Sequence, residues 1–155
     1  MSSSPKTIRI AVGDRVLSGI LEESLAPATC AAFVKLLPLR AQLIQARWSG
    51  EAGWVPLGNL DVGVGRENAM QQPRPGQLLL YPAGESETEI LVPYGIASFA
   101  AKSGPLVGNH FLTIDDADEE LKEIGRRLLW QGAQDIAFEL LIDAYSYRGS
   151  PRAAG

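Results

Sequence analysis

A mainly β fold, a barrel capped by two helices, is what this sequence predicts. Three observations carry that expectation. Short apolar runs, several alternating with period two, recur between clusters of Gly, Pro, Asn and Asp, the pattern of many short strands joined by turns. Only two segments carry helical apolar spacing. The 155 residues, 46% apolar and 21% charged, show no repeat and no low-complexity stretch, so one globular domain is expected, with its strands closed on themselves.

The elements follow in order. Residues 1–6 are small and polar and read as a flexible N-terminus. Thr7 to Val12 alternates Ile8, Ile10 and Val12, and Gly13-Asp14 joins it to a second strand over Val16 to Leu21, giving a hairpin. Pro27 suits a helix first turn, and Phe33, Leu36 and Leu37 place a helix over residues 27–37, ended by Pro38. Ala41 to Trp48 reads as a strand. Residues 49–75 are rich in Gly, Pro, Asn and Gln and read as loops around short strands. Leu78 to Tyr81 is a central strand, Glu85 to Glu89 an acidic stretch, Ile90 to Val92 a strand, Pro93-Tyr94-Gly95 a turn, and Ile96 to Ala101 and His110 to Ile114 further strands. Asp115 to Asp118 starts a helix, since acidic groups complement its N-terminal partial charge. Leu121, Ile124, Leu128 and Leu129 form its apolar face, Arg126 and Arg127 sit late in it, and Gly132 stops it. Asp135 to Ile142 is the last strand. One domain is expected over 7–145, followed by a flexible tail over 146–155.

Fourteen Lys and Arg against eighteen Asp and Glu leave a net charge of −4 with no basic run, so nucleic acid is not an expected partner. No apolar run is long enough to span a bilayer, and no membrane partner is expected. The first residues carry no apolar signal segment. A single cysteine, Cys30, rules out an internal disulfide and suits a reducing compartment, so the cytoplasm is the expected location. Cys30 reads either as a small buried hydrophobe or, near a helix N-terminus, as a nucleophile. With one His and one Cys far apart, no transition-metal site is expected. The two glycines over 104–108 do not form a phosphate-binding loop, and no cofactor is expected.

Several residue types could carry chemistry. His110, the only histidine, is either a half-buried hydrogen-bonded side chain or an acid–base group. Glu85, Glu87 and Glu89 share a face if extended. They read either as a solvated strand edge or as paired carboxylates. Arg47 beside Trp48 could hold a carboxylate in its planar fork against an indole wall. Tyr81, Tyr94, Trp54 and Phe111 line either a pocket or the core.

Two stretches resemble cyclophilins. One is Gly19-Ile20-Leu21-Glu22, with Ala26-Pro27-Ala28-Thr29 and Ala32-Phe33-Val34-Lys35-Leu36-Leu37. The other is Ser98-Phe99-Ala100-Ala101-Lys102-Ser103-Gly104-Pro105, followed by Gly108-Asn109-His110-Phe111-Leu112-Thr113-Ile114. Trp48-Ser49-Gly50-Glu51 and Gly76 to Gly84 further resemble a bacterial group of small cyclophilin-like proteins of unknown function. The resemblance spans about residues 7–114 and implies a closed eight-stranded barrel with two capping helices. It also implies that Arg47 lies near the groove arginine of cyclophilins. The family's Pro-Gly-Phe-Met segment is absent, its groove glutamine is replaced by His110, and its late groove Trp and His have no counterpart.

The functional expectation is a small-molecule or peptide-binding module with a cleft on the barrel. Arg47 would hold an anionic group there beside Trp48, with Tyr94, His110 and one of Glu85 or Glu87 as polar contacts. Two alternatives stand beside it. One is an enzyme, either a weak prolyl isomerase or a hydrolase or lyase pairing His110 with a glutamate. The other is a homo-oligomeric assembly protein using sheet edges and the Trp48–Trp54 region.

Overall fold

The computed structural model describes residues 5–141. Alternation in Thr7–Val12 (β1) and Arg15–Leu21 (β2) turns Ile8, Ile10, Val12, Leu17 and Leu21 inward, and Gly13 at φ 58° makes the tight link. Helix α1 (Pro27–Val34) follows, then β3 (Leu39–Gln45), β4 (Gly50–Pro56) and the two-residue β5 (Ala69–Met70). After these come β6 (Gln77–Tyr81), β7 (Glu89–Ala97), the small pair β8 (Ala100–Ala101) and β9 (Gly104–Pro105), β10 (Gly108–Thr113), helix α2 (Asp118–Gln131) and β11 (Gln134–Leu141).

The strand order β2-β1-β11-β3-β4-β7-β6-β10 returns to β2 through the β10–β2 pairing, so eight antiparallel strands close a cyclophilin-like barrel. The two-residue β5 pairs with the start of β10, and β8–β9 is a separate hairpin. Helix α1 packs on β10, and its Phe33 enters the interior beside Phe111 and Phe138, with ring centroids 4.8 and 5.5 Å away. Helix α2 packs on β3, β4 and β7 through Leu121, Ile124, Gly125 and Leu128. Among the described residues no helix is long and apolar enough to cross a membrane.

Several boundaries differ from expectation, each for a physical reason. Helix α1 ends at Val34 rather than residue 37, because residues 35–37 continue in tighter turns, with Leu36 N donating to Phe33 O. Strand β3 ends at Gln45, which puts Arg47 and Trp48 in the bend before β4 rather than on a strand. The stretch expected as loops holds the full barrel strand β4. Pro93-Tyr94-Gly95 is not a turn but the middle of β7. Pro93 is tolerated there because β6 stops pairing at Leu91. The Pro93 carbonyl accepts instead from Gly76 N at 3.1 Å, so its missing N–H breaks no ladder. Leu129 is 61% exposed and not part of the α2 apolar face. Arg126 and Arg127 lie short of the last turn and pair with Glu123, and Arg127 also reaches Asp14 in the β1–β2 turn. Ile142 and the tail over 146–155 lie outside the described residues.

Candidate functional site

The strand period sorts β6 and β7 into two faces. Leu78, Leu80, Ile90, Val92 and Tyr94 belong to the barrel interior. Leu79, Tyr81 and Leu91 form a second apolar cluster on the outer surface with Ala52, Phe99 and Leu106. Residues 98–107 fold over this cluster, with Phe99 edge-on to Tyr81 at 5.6 Å. Ser49 fastens the start of that segment. Its hydroxyl donates to Ala100 O at 3.2 Å and accepts from Ala100 N at 3.1 Å, while Ser98 N donates to Ser49 O at 3.0 Å. The β3–β4 bend is thereby held to the β8–β9 hairpin, and a cleft opens beside the junction.

That cleft has a volume of about 530 Å³. Its floor includes Ile44, Trp54 and Glu89, and its rim carries Arg47, Trp48, Glu85 and Lys102. Ile44 and Trp54 are cross-strand partners, as are Glu89 and Tyr81. Arg47 and Lys102 are exposed, whereas Glu89 is only 7% exposed. Among the described residues Glu89 makes no side-chain hydrogen bond, and none of Arg47, Lys102, Glu85 or Glu89 joins an ion pair. Burial, with Glu87 adding like charge, pushes the Glu89 carboxyl up to about 7. A carboxyl in that range can give or take a proton near neutrality, and its ionised form can hold a cation.

The wall at Glu85 is built locally. Tyr81 Oη accepts from Glu85 N at 2.9 Å, and the turn between them passes through Ala83 at φ 80° and Gly84 at φ 147°. A non-glycine residue at that φ is strained, and such strain concentrates at functional sites. A second cleft of about 470 Å³ lies beyond the same turn and includes Arg66, Tyr81, Leu106 and Glu85, so Glu85 borders both.

Of the sequence-derived candidates, Arg47, Trp48 and Glu85 meet in the larger cleft. Glu87 points elsewhere, accepting from Gly58 N at 2.9 Å. Tyr94 faces the interior and α2, its hydroxyl donating to Gln45 Oε1 at 2.7 Å. His110 borders neither cleft. Its Nε2 lies 2.7 Å from Thr113 Oγ1, which donates onward to Glu22 at 2.6 Å. Because the Thr113 hydrogen goes to Glu22, His110 Nε2 carries the imidazole proton. Burial holds the His110 pKa below 6.5 against the pull of Glu22. The glutamate that His110 reaches is therefore Glu22, through a hydroxyl, and not a member of the 85–89 run. Phe111 is core, while Trp54 and Tyr81 border the clefts. Cys30 is buried, donates to Phe111 O at 3.4 Å, and burial lifts its thiol to about 12, so it is no nucleophile.

Glu89, Trp54 and Lys102 are the cleft residues that sequence reasoning did not assemble. The signal for Glu89 was its place as the last member of the alternating glutamates, directly before the apolar Ile90-Leu91-Val92. A carboxyl that begins a buried strand is drawn inward with it.

Outside the cleft, Glu67 binds the loop before β5 to the start of α1. It accepts from Ala28 N at 3.1 Å, Thr29 N at 2.8 Å and Thr29 Oγ1 at 2.7 Å. Asn109 completes the knot, donating to Thr29 Oγ1 at 3.0 Å and accepting from Glu67 N at 3.0 Å. Helix α1 has no side-chain cap of its own, and Glu67 supplies one from 38 residues away.

Comparison with known proteins agrees with this architecture. The tryptophan complex of McbB superposes with a TM-score of 0.68 at 15% identity over 85% of this chain, which spans 44% of McbB. The hypothetical protein AF2241 from Archaeoglobus fulgidus gives 0.57 at 17% identity, over 90% of this chain and 98% of that one. The Mimivirus cyclophilin gives 0.57 at 11% identity, over 94% and 93%. At these identities the likeness is one of fold. No curated protein matches the chain. Residues 8–140 match the family model described as "Protein of unknown function (DUF3830)", and the chain belongs to that family, carried on a cyclophilin-like eight-stranded barrel.

Proposed function

We propose that this domain binds a small organic anion, or a peptide-like ligand bearing one, in the outer-face cleft between the β3–β4 bend and the β8–β9 hairpin. The observation that carries the reading is the pair of cations, Arg47 and Lys102, that join no ion pair among the described residues and stand on the rim of a cleft walled by Trp48 and Trp54. An apolar concavity with a few aimed charges is the usual form of a ligand site. Its volume of about 530 Å³ falls within the usual range of roughly 300–1,000 Å³ for such sites. Arginine offers two parallel donors to a carboxylate, and the indole faces offer apolar contact to the rest of the ligand.

The two cleft tryptophans make intrinsic fluorescence a direct readout. Titration with aryl carboxylates such as 3-phenylpropionate is expected to change that fluorescence saturably. Arg47→Ala should weaken binding about tenfold or more, as loss of a charge-assisted contact does. Because Arg47 is exposed and joins no ion pair among the described residues, the same change should leave stability within about 0.5 kcal/mol of the parent. An affinity unaltered in Arg47→Ala and in Lys102→Ala would remove the anion-binding assignment.

A further inference from the structure

Charges of both signs stand in the cleft without cancelling. Elsewhere some charges pair, Lys6 with Glu23, Arg9 with Glu139, and Arg127 with Asp14 and Glu123, while Arg15, Lys35, Arg40, Arg66 and Arg74 also join no ion pair among the described residues. In the cleft Arg47 and Lys102 reach neither Glu85 nor Glu89, and among the described residues they reach no other carboxylate either. Cations and carboxylates line one concavity without meeting in an ion pair among the described residues.

Glu89 is the most telling of the four. It is 7% exposed, fixed on a ladder between Pro56 and Tyr81, and without a hydrogen-bond partner among the described residues. A dehydrated carboxyl needs a partner or stays neutral. Its oxygens still open to the cleft, for the only fully enclosed side-chain polar atom lacking a partner among the described residues is Arg15 Nε. Around Glu89 stand Glu87 in the segment before its strand, its ladder partners Tyr81 of β6 and Pro56 of β4, and the cleft residues Trp54, Glu85, Arg47 and Lys102. A ligand cation there would gain a carboxylate and two indole faces, the surfaces that attract ammonium groups.

Resting on the anion-binding reading above, we infer that the ligand is a zwitterion of the amino-acid class, its ammonium group on Glu89 between the tryptophans and its carboxylate on Arg47 and Lys102. The anion-binding site thus becomes a two-ended receptor, selective for small molecules that carry both charges on an apolar body. Neutralising Glu89 with an ammonium draws its pKa down, so binding drives a proton off the protein. An anion bound nearby does the reverse.

Three probes separate the ends: phenylalanine, 3-phenylpropionate, which lacks the ammonium, and 2-phenylethylamine, which lacks the carboxylate. Calorimetry at about pH 7 in buffers of different ionisation enthalpy counts protons as well as affinity. Phenylalanine is expected to bind about tenfold or more tightly than either analogue. The amine should bind with release of a fraction of a proton, because burial raises the free carboxyl into this pH range and an ammonium draws it back down. Glu89→Gln should weaken phenylalanine and the amine about tenfold or more, abolish the proton release, and leave 3-phenylpropionate bound. The wild-type proton count stands even if that variant folds poorly. If 3-phenylpropionate binds and the amine does not, or if the amine binds with proton uptake, the zwitterion inference falls while the anion site survives. If the amine binds and 3-phenylpropionate does not, the anion reading falls, and the zwitterion with it. If none of the three binds, both fall together.

Discussion

Replacing Gly125 with alanine sets two opposed effects against each other, and the structure decides the sign. In a helix interior alanine is favoured over glycine by about 1 kcal/mol, so on helical grounds the change should stabilise α2. Yet a Cβ at Gly125 would fall 2.7 Å from Tyr94 Cγ and closer still to two other ring carbons. Comfortable carbon contacts lie near 3.5–4.0 Å, so the ring would have to retreat by about 1 Å. It has little room. Tyr94 is 8% exposed in the interior cluster, and its hydroxyl is tied to Gln45. Overpacking of this kind costs about 1–3 kcal/mol, and loss of the Gln45 bond adds about 1 kcal/mol. Net destabilisation of about 1–3 kcal/mol follows. Urea denaturation should show a midpoint lowered by about 1 M, with the melting temperature down by about 4–8 °C. In a Tyr94→Leu background the ring is gone, and Gly125→Ala should become neutral or stabilising, a coupling of about 2 kcal/mol or more. Stabilisation by Gly125→Ala in the wild-type background, or equal effects in both backgrounds, would refute the close approach as the reason for glycine.

Three other perturbations bear on the site and its supports. Ser49→Ala removes both hydroxyl bonds between the β3–β4 bend and the hairpin, and should cost about 1–2 kcal/mol in chemical denaturation while weakening 3-phenylpropionate in fluorescence titration. Unchanged affinity would show that the hairpin does not shape the cleft. For Glu67, burial lifts the carboxyl but hydrogen bonds from Thr29 and Ala28 outweigh it and hold its pKa below 4.5. Its contribution is therefore present above 4.5 and lost as pH falls through the lowered value. Glu67→Gln should cost about 1–2 kcal/mol near pH 7, with the deficit shrinking in acid; a deficit independent of pH would contradict the charge. Glu89 has the opposite sign, since its folded pKa is raised. Stability is full below 4.5 and lost as pH rises through about 7. Glu89→Gln should therefore raise the melting temperature near pH 8, by an amount equivalent to about 2–3 kcal/mol, and change it little near pH 5. Equal shifts at the two pH values would show that the buried carboxyl is not the titrating group.

Much of the barrel was legible because its signals are local. Alternation in β1 and β2, the short apolar run of β6, and the acidic start and glycine stop of α2 each follow from neighbours in sequence. What was obscured depends on distant partners. Strand β4 reads as loop because it contains Gly50, Gly53 and Pro56. Gly53 is required by packing, since a Cβ there would fall 2.8 Å from Leu43 and 2.9 Å from Leu128, and α2 could not seat on the barrel wall. The signals for a turn at Pro93-Tyr94-Gly95 were genuine local preferences, overridden by pairing with β4. The cleft was half visible. Arg47 and Trp48 stood out by type, whereas Glu89 looked like the end of an acidic edge until the outer face of β7 was covered by the 98–107 segment.

Strand β11 lies between β1 and β3, pairing Thr7 with Leu141 and Gln134 with Leu43. The last strand of the described chain is thus the stave that joins the first hairpin to the third strand. On the ribosome, everything up to Gln131 can emerge while that gap stays open, with the edges of β1 and β3 unpaired. Closure then waits on contacts between residues from 91 (Leu43 and Gln134) to 134 (Thr7 and Leu141) positions apart, which slows folding. Until β11 arrives, the two exposed edges are the places where a nascent chain would meet a chaperone or a second copy of itself.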